Sequence, residues 1–185
     1  RQLSALCPRL AGKQVWLLMG SGNNGGDAAC LARYLLDAGA CPHVFHTRPL
    51  EHYRNETAYH LRTALTCGVP FLPVAALTET PLPHPDILVD GLLGTGFSGQ
   101  LRDDARRLVS FVNELSPRPL ILSLDVPSGL DATSGLPCPE AVKADMTVSF
   151  AAAKPGLMLP WARPYTGECH VGPIAMPAKV REEGP

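Results

Sequence analysis

Short apolar runs recur along the chain, and each is followed by a stretch whose apolar residues are spaced for one face of a helix. Residues 15–19 are uniformly apolar, which predicts an interior strand buried on both faces. A helical stretch over 28–38 follows, with Cys30, Leu31, Leu35 and Leu36 as its apolar face. A second strand is predicted over 42–46 and a helix over 58–67, with Leu61, Ala64 and Leu65 turned inward and Gly68 as its stop. Further strands are predicted over 71–74, 87–90, 120–125, 146–150 and 169–174, with a helix over 101–115 between the second and third of these. Pro119 and Pro127 bracket the strand over 120–125 rather than interrupt it, as their fixed φ and missing N–H require. Strands alternating with helices, with no internal repeat, predict a single three-layer α/β/α, Rossmann-like domain with a largely parallel central sheet.

Polar, glycine-containing segments stand where three of these strands end. Gly20-Ser21-Gly22-Asn23-Asn24-Gly25-Gly26-Asp27 follows the first strand. Asp90-Gly91-Leu92-Leu93-Gly94-Thr95-Gly96-Phe97-Ser98-Gly99 follows 87–89, and Asp125-Val126-Pro127-Ser128-Gly129-Leu130-Asp131 follows 120–124. A strand that delivers a glycine-rich turn to a helix N-terminus presents unpaired N–H groups and a positive dipole end, a cradle for phosphate. Three such strand ends predict one shared site. The first loop carries glycines at 20, 22 and 25 but is followed by no clear acidic ribose ligand about twenty residues on, so a hydride-transferring dinucleotide enzyme is disfavoured.

Composition narrows the function classes. The chain has 185 residues, is 45% hydrophobic and carries a formal charge of -1, enough to bury one core and too balanced to select for nucleic acid. Its 19 prolines sit mainly in connections, including Pro81, Pro83 and Pro85, and predict rigid loops. Cys7, Cys30, Cys41, Cys67, Cys138 and Cys169 are unevenly spaced and form no CxxC pair, so they read as free thiols rather than a disulfide or zinc framework. No signal-peptide run or membrane span is visible, and nothing suggests a membrane partner. A cytoplasmic location is the expectation, although the chain does not begin with methionine and its N-terminus reads as incomplete.

At the three loops the chain resembles the YjeF N-terminal domain family of NAD(P)HX epimerases. The resemblance is carried by Gly22-Asn23-Asn24-Gly25-Gly26-Asp27, by Asp90 with Gly94-Thr95-Gly96, and by Asp125-Val126-Pro127-Ser128-Gly129-Leu130-Asp131. A fourth match is Ala144-Asp145-Met146-Thr147-Val148-Ser149-Phe150, followed by Lys154-Pro155-Gly156-Leu157. It divides the chain into a partial N-terminal segment or linker over 1–11, a nucleotide-binding domain over 12–177 and a tail or linker over 178–185.

The resemblance implies that the chain binds a hydrated nicotinamide nucleotide, NADHX or NADPHX, as substrate and interconverts its R and S forms for cofactor repair. It implies potassium held by side-chain oxygens of Asn24, Asp90 and Ser128, with backbone carbonyls completing the shell. Read locally, the same residues could cap a turn, accept loop N–H bonds and cap a short helix. Asp125 is the expected acid/base residue; its alternative is to fix the Pro127-Ser128-Gly129 turn. The nucleotide is expected against Asn23, Asn24, Gly25, Gly26, Asp27, Gly94, Thr95, Gly96, Phe97, Ser98, Gly99, Gln100 and Asp125. Asp27 is read as a helix cap or a ribose contact.

Ser98 stands where many relatives have Lys or Arg, which removes a positive charge from the loop and leaves Arg102 or Arg106 to reach back. Ala28 stands where glycine is usual; its methyl is compatible with a helix start but could narrow the cradle. A homodimer and a fused or separate NAD(P)HX dehydratase partner are the implied assemblies. The alternative function is a catalytically weak nucleotide-binding or protein-interaction scaffold.

Overall fold

The computed structural model describes residues 9–172. The chain runs β1 (Gln14–Met19), α1 (Asn23–Asp37), β2 (Cys41–His46), α2 (Asn55–Thr66), β3 (Phe71–Pro73), α3 (Ala76–Glu79), β4 (Ile87–Gly91), α4 (Asp103–Glu114), β5 (Leu120–Leu124), β6 (Met146–Phe150), α5 (Arg163–Thr166) and β7 (Glu168–Gly172). Short 3₁₀ turns occupy Leu50–His52, Pro155–Met158 and Pro160–Ala162. The strands form one sheet in the order β3-β2-β1-β4-β5-β6-β7. Every pairing is parallel.

β1 reads as a continuous apolar run because both of its faces are covered. Val15, Leu17 and Met19 join Ala28, Ala29, Ala32 and Leu35 of α1 and Ala58, Leu61 and Ala64 of α2 in one core. Trp16 and Leu18 point the other way, onto Leu88, Ile121, and Val109 and Val112 of α4. This two-sided burial is the physical signature of a parallel sheet between helical layers, and it bears out the predicted architecture. Leu65 departs from the expected inward face: it is exposed, one position past the stripe that Leu61 and Ala64 define.

Chain order reverses between β1 and β4, so the crevice at the carboxyl ends of these neighbours is the topological switch point at which α/β sheets bind ligands. The Gly20 amide donates to the Gly91 carbonyl at 3.0 Å and fastens the two strand ends together.

The glycine segment after β1 is mostly helix rather than loop. Helix α1 starts at Asn23 with Gly22 as its N-cap, five residues ahead of the predicted start at 28. Glycine disfavours a helix interior by roughly 1 kcal/mol relative to alanine, which is why the pattern alone points to a later start. Tertiary contact reverses that preference. A Cβ on Gly25 would lie 1.9 Å from the Gly20 carbonyl oxygen, so only glycine lets the first helical turn close over the end of β1. The strand predicted over 169–174 is β7, Glu168–Gly172; its last two predicted positions, like the boundary at 177 and the tail beyond, lie outside the described residues. Among the described residues no helix is long and apolar enough to cross a membrane.

Candidate active site

The three polar strand ends converge, and Leu93 is their hub. Asn24, on the first turn of α1 and only 6% exposed, donates through Nδ2 to the Leu93 carbonyl at 2.6 Å and to the Leu124 carbonyl at 3.0 Å. The Leu93 amide donates to Ser128 Oγ at 2.9 Å. Ser128 in turn donates its hydroxyl to Asp90 Oδ1 at 2.5 Å and its backbone N–H to Asp90 Oδ2 at 2.8 Å. Ser123 Oγ adds a bond to Asp90 Oδ2 at 2.9 Å, and the Leu92 amide a longer one to Oδ1 at 3.3 Å. Asn24, Asp90 and Ser128 therefore belong to one buried network built from the first turn of α1, the end of β4 and the turn after β5.

Two features of that network bear on a cation. Asp90 is completely buried, and burial raises its carboxyl above the ordinary range while hydrogen bonds from Ser128, Ser123 and Leu92 oppose the shift. Its partners are neutral donors. Asn24 Oδ1 is buried with no hydrogen-bond partner, an orphaned acceptor of a kind that native interiors seldom leave. A hard-oxygen set of one carboxylate, one amide oxygen and one hydroxyl fits a weakly hydrated monovalent ion. No cluster of His, Cys, Asp and Glu suited to a transition metal occurs among the described residues.

Asp125 lies beside this network at the end of β5. Its φ of 63° is in the left-handed region, unusual for a residue with a side chain, and turns the carboxylate back over the strand ends. Oδ2 accepts from the Thr95 amide at 3.3 Å and lies 3.3 Å from the place a Cβ on Gly94 would occupy. Oδ1 accepts from Lys154 Nζ at 2.6 Å and from the Phe150 amide at 3.4 Å. The ion pair is mostly enclosed, with 18% of the Lys154 side chain and 14% of the Asp125 side chain exposed.

Lys154 is the site residue that reasoning from sequence left without a role. Its signal was present in Lys154-Pro155-Gly156-Leu157, but only the fold brings the ammonium to a carboxylate 29 positions away. Lys154, after β6, is the cation paired with this carboxylate, whereas Arg102 and Arg106 are both exposed.

The other expected residues take distinct places. Thr95, Gly96, Ser98, Gly99 and Gln100 form an exposed loop over the site, while Phe97 packs against the core beside Leu92 and Leu101. Asn23 is exposed at the start of α1, and Gly25 and Gly26 are buried in its first turn. Gly26 packs on Thr57 of α2, whose hydroxyl donates to the Gly22 carbonyl at 3.2 Å. Ala28 does not narrow the cradle: it is fully buried, and its methyl faces Gly91 of β4. Asp131 is spent on its own turn, accepting from the Thr133 and Ser134 amides and from the Ser134 hydroxyl.

Asp27 is the fifth residue of α1 and therefore not its cap. Burial first, and the Asp125 charge second, push its carboxyl up from 3.8 to about 6. A raised folded-state value means that the native protein binds more protons than the unfolded chain. The associated destabilisation is absent below pH 3.8, grows through the window up to about 6 and is fully present above it. Asp27→Asn is therefore expected to gain stability over wild type at pH 8, with the difference closing near pH 4. Denaturant unfolding of both proteins at the two pH values checks this.

Comparison with known proteins gives a consistent result. Residues 2–156 match the family described as YjeF-related protein N-terminus. The chain is 33% identical over 183 residues to an NAD(P)H-hydrate epimerase of Pirellula staleyi, covering 96% of this chain and 80% of that protein. It is 39% identical over 165 residues to a bifunctional NAD(P)H-hydrate repair enzyme of Leishmania braziliensis, covering 86% of this chain but only 28% of that longer protein. The crystal structure of yeast ynu0 (YNL200c) is similar with a TM-score of 0.71 at 27% identity, covering 84% of this chain and 67% of that one.

Proposed function

This chain belongs to the YjeF-related N-terminal family of NAD(P)H-hydrate epimerases, and on that premise we propose that it interconverts the R and S hydrates of NADHX and NADPHX. The observation that carries this reading is the placement of Asp125. Its carboxylate stands where the ends of β1, β4 and β5 meet, with one oxygen over Gly94 and beneath the exposed loop 95–100.

Epimerisation requires the configuration at one ring carbon to be lost and restored with no net redox change. Asp125 is the group that moves the hydroxyl proton. The N-terminus of α1, with Asn23 through Asp27, and the glycine-containing loop after β4 bind the nucleotide and orient the ring toward Asp125; backbone N–H groups face its phosphates. Asn24 Oδ1, Asp90 and Ser128 would hold potassium, which would supply positive charge to keep the loops in register beside an anionic ligand. The orphaned Asn24 oxygen and the buried Asp90 support that assignment.

The test is chromatography of separated R and S NADHX and NADPHX incubated with the protein in potassium buffer, with rates corrected for spontaneous epimerisation. Acceleration for either nucleotide is the expected result. A folded, potassium-loaded protein that binds the nucleotides without acceleration would replace the enzyme by a binding or interaction module.

A further inference from the structure

The Asp125 carboxylate is not symmetric in its surroundings. Oδ1 is engaged by the Lys154 ammonium at 2.6 Å and by the Phe150 amide. Oδ2 has only the long 3.3 Å bond from Thr95 and faces the open glycine loop. Lys154 is itself fixed, donating a second bond to the Phe150 carbonyl at 2.7 Å. The turn that carries it contains Ala151 at φ 66°, so non-glycine residues in left-handed conformations occur at both ends of this contact. Such conformations cost of order 1–3 kcal/mol each and persist where the surrounding structure enforces them, often at functional sites. Asp27 on α1 is the further charged group in electrostatic reach of Asp125, and Cys169 of β7 lies within reach of Lys154.

Building on the epimerase reading, we propose that Lys154 is the positioning residue of the reaction: it clamps Oδ1 and leaves Oδ2 as the base that opens the hydrated ring. Oδ2 takes the proton of the ring hydroxyl, the oxygen forms a carbonyl to the ring carbon, and the bond from that carbon to the ring nitrogen breaks. The bonding pair goes to nitrogen and is delocalised toward the carboxamide. After rotation the nitrogen attacks the opposite face of the carbonyl, and Oδ2 returns its proton to the oxygen. One proton leaves and returns, one C–N bond breaks and re-forms, and neither an oxidant nor an external water is consumed.

The choice between ring opening and loss of water is read by single-turnover epimerisation in ¹⁸O-water. Opening keeps the original hydroxyl oxygen in the epimer at the earliest times, whereas loss and return of water places one solvent oxygen in each epimerised molecule and would overturn the assignment of Oδ2 as ring-opening base. Lys154→Met is expected to lower kcat about 100-fold, the scale associated with misplacing a catalytic group by about 1 Å, with KM changed less than about threefold. Lys154→Arg should recover part of the rate. Lys154→Gln, which keeps a donor without the charge, should lose rate as the Met variant does and serves if that variant does not fold. Combined with Asp125→Asn, the Lys154 change should add no further loss; losses that multiply would reject the clamp.

NMR of the Lys154 ammonium separates the inference from the epimerase reading, because it needs no substrate. A protected Nζ–H resonance in wild type that shifts and exchanges faster in Asp125→Asn, where the Phe150 carbonyl remains but the charged acceptor is lost, supports the clamp even if the protein proves inactive on the hydrates. Absence of that resonance in the folded wild-type protein overturns the clamp whatever the activity.

Discussion

Asp125→Asn is expected to slow interconversion of the R and S hydrates by about 100- to 10,000-fold, the range general acid–base catalysis supplies, while nucleotide binding stays measurable. The substitution keeps the size and both polar positions of the side chain but removes the basic oxygen. The Asn carbonyl is expected at the Oδ1 position, where Lys154 and the Phe150 amide still donate to it, so that only the long Thr95 bond is given up. The ion pair with Lys154 is lost, leaving a lysine whose side chain is only 18% exposed without its counterion, and a moderate loss of stability should accompany the loss of rate. Rates by chromatography and affinity by calorimetry separate the two effects. Unchanged turnover would return Asp125 to the purely structural role of shaping its turn.

Asp90→Ala is expected to have the largest effect on stability. It removes the shared acceptor of the Ser123 hydroxyl, the Ser128 amide, the Ser128 hydroxyl and the Leu92 amide, all in the interior. An orphaned buried donor costs about 1–3 kcal/mol, and part of this can be relieved by water entering the space of the lost carboxylate. A net loss of about 3 kcal/mol would lower the melting temperature by roughly 6–12 °C for a chain of this size. Wild type should also melt higher in potassium than in tetramethylammonium buffer, since a ligand bound only by the folded state stabilises it. That difference should vanish in Asp90→Ala. A melting temperature within 1–2 °C of wild type, roughly, with potassium dependence intact, would show that the ion resides elsewhere.

Much of the fold was legible because a parallel sheet imposes uniform apolar runs and its crossover helices impose a different period. β6 coincides with its predicted range, and β1 and β4 each extend one residue beyond theirs. Helix α4 begins two residues later than its apolar pattern, because Leu101 is buried in the preceding turn, where its amide donates to the Cys138 carbonyl, and Arg102 takes the cap position. The early start of α1 was illegible because no local preference places two glycines inside a helix; contact with Gly20 requires glycine at 25, and the close approach of Thr57 favours it at 26.

The same division runs through the site. Its acidic and amide residues were visible as polar side chains at the ends of apolar strands, where a buried carboxylate or amide needs a local purpose. Their partners were not visible. Asn24 bonds carbonyls 69 and 100 positions away, and Lys154 meets Asp125 across the loop after β6.

The sequence by itself determined the alternation of strands and helices and the residue types at three strand ends, because periodicity and turn chemistry are local properties. Only the tertiary structure decided which carboxylate oxygen is clamped, which amide oxygen is left without a partner and which lysine supplies the charge. Those outcomes depend on distances between elements, and distances between elements are fixed by packing across the sheet.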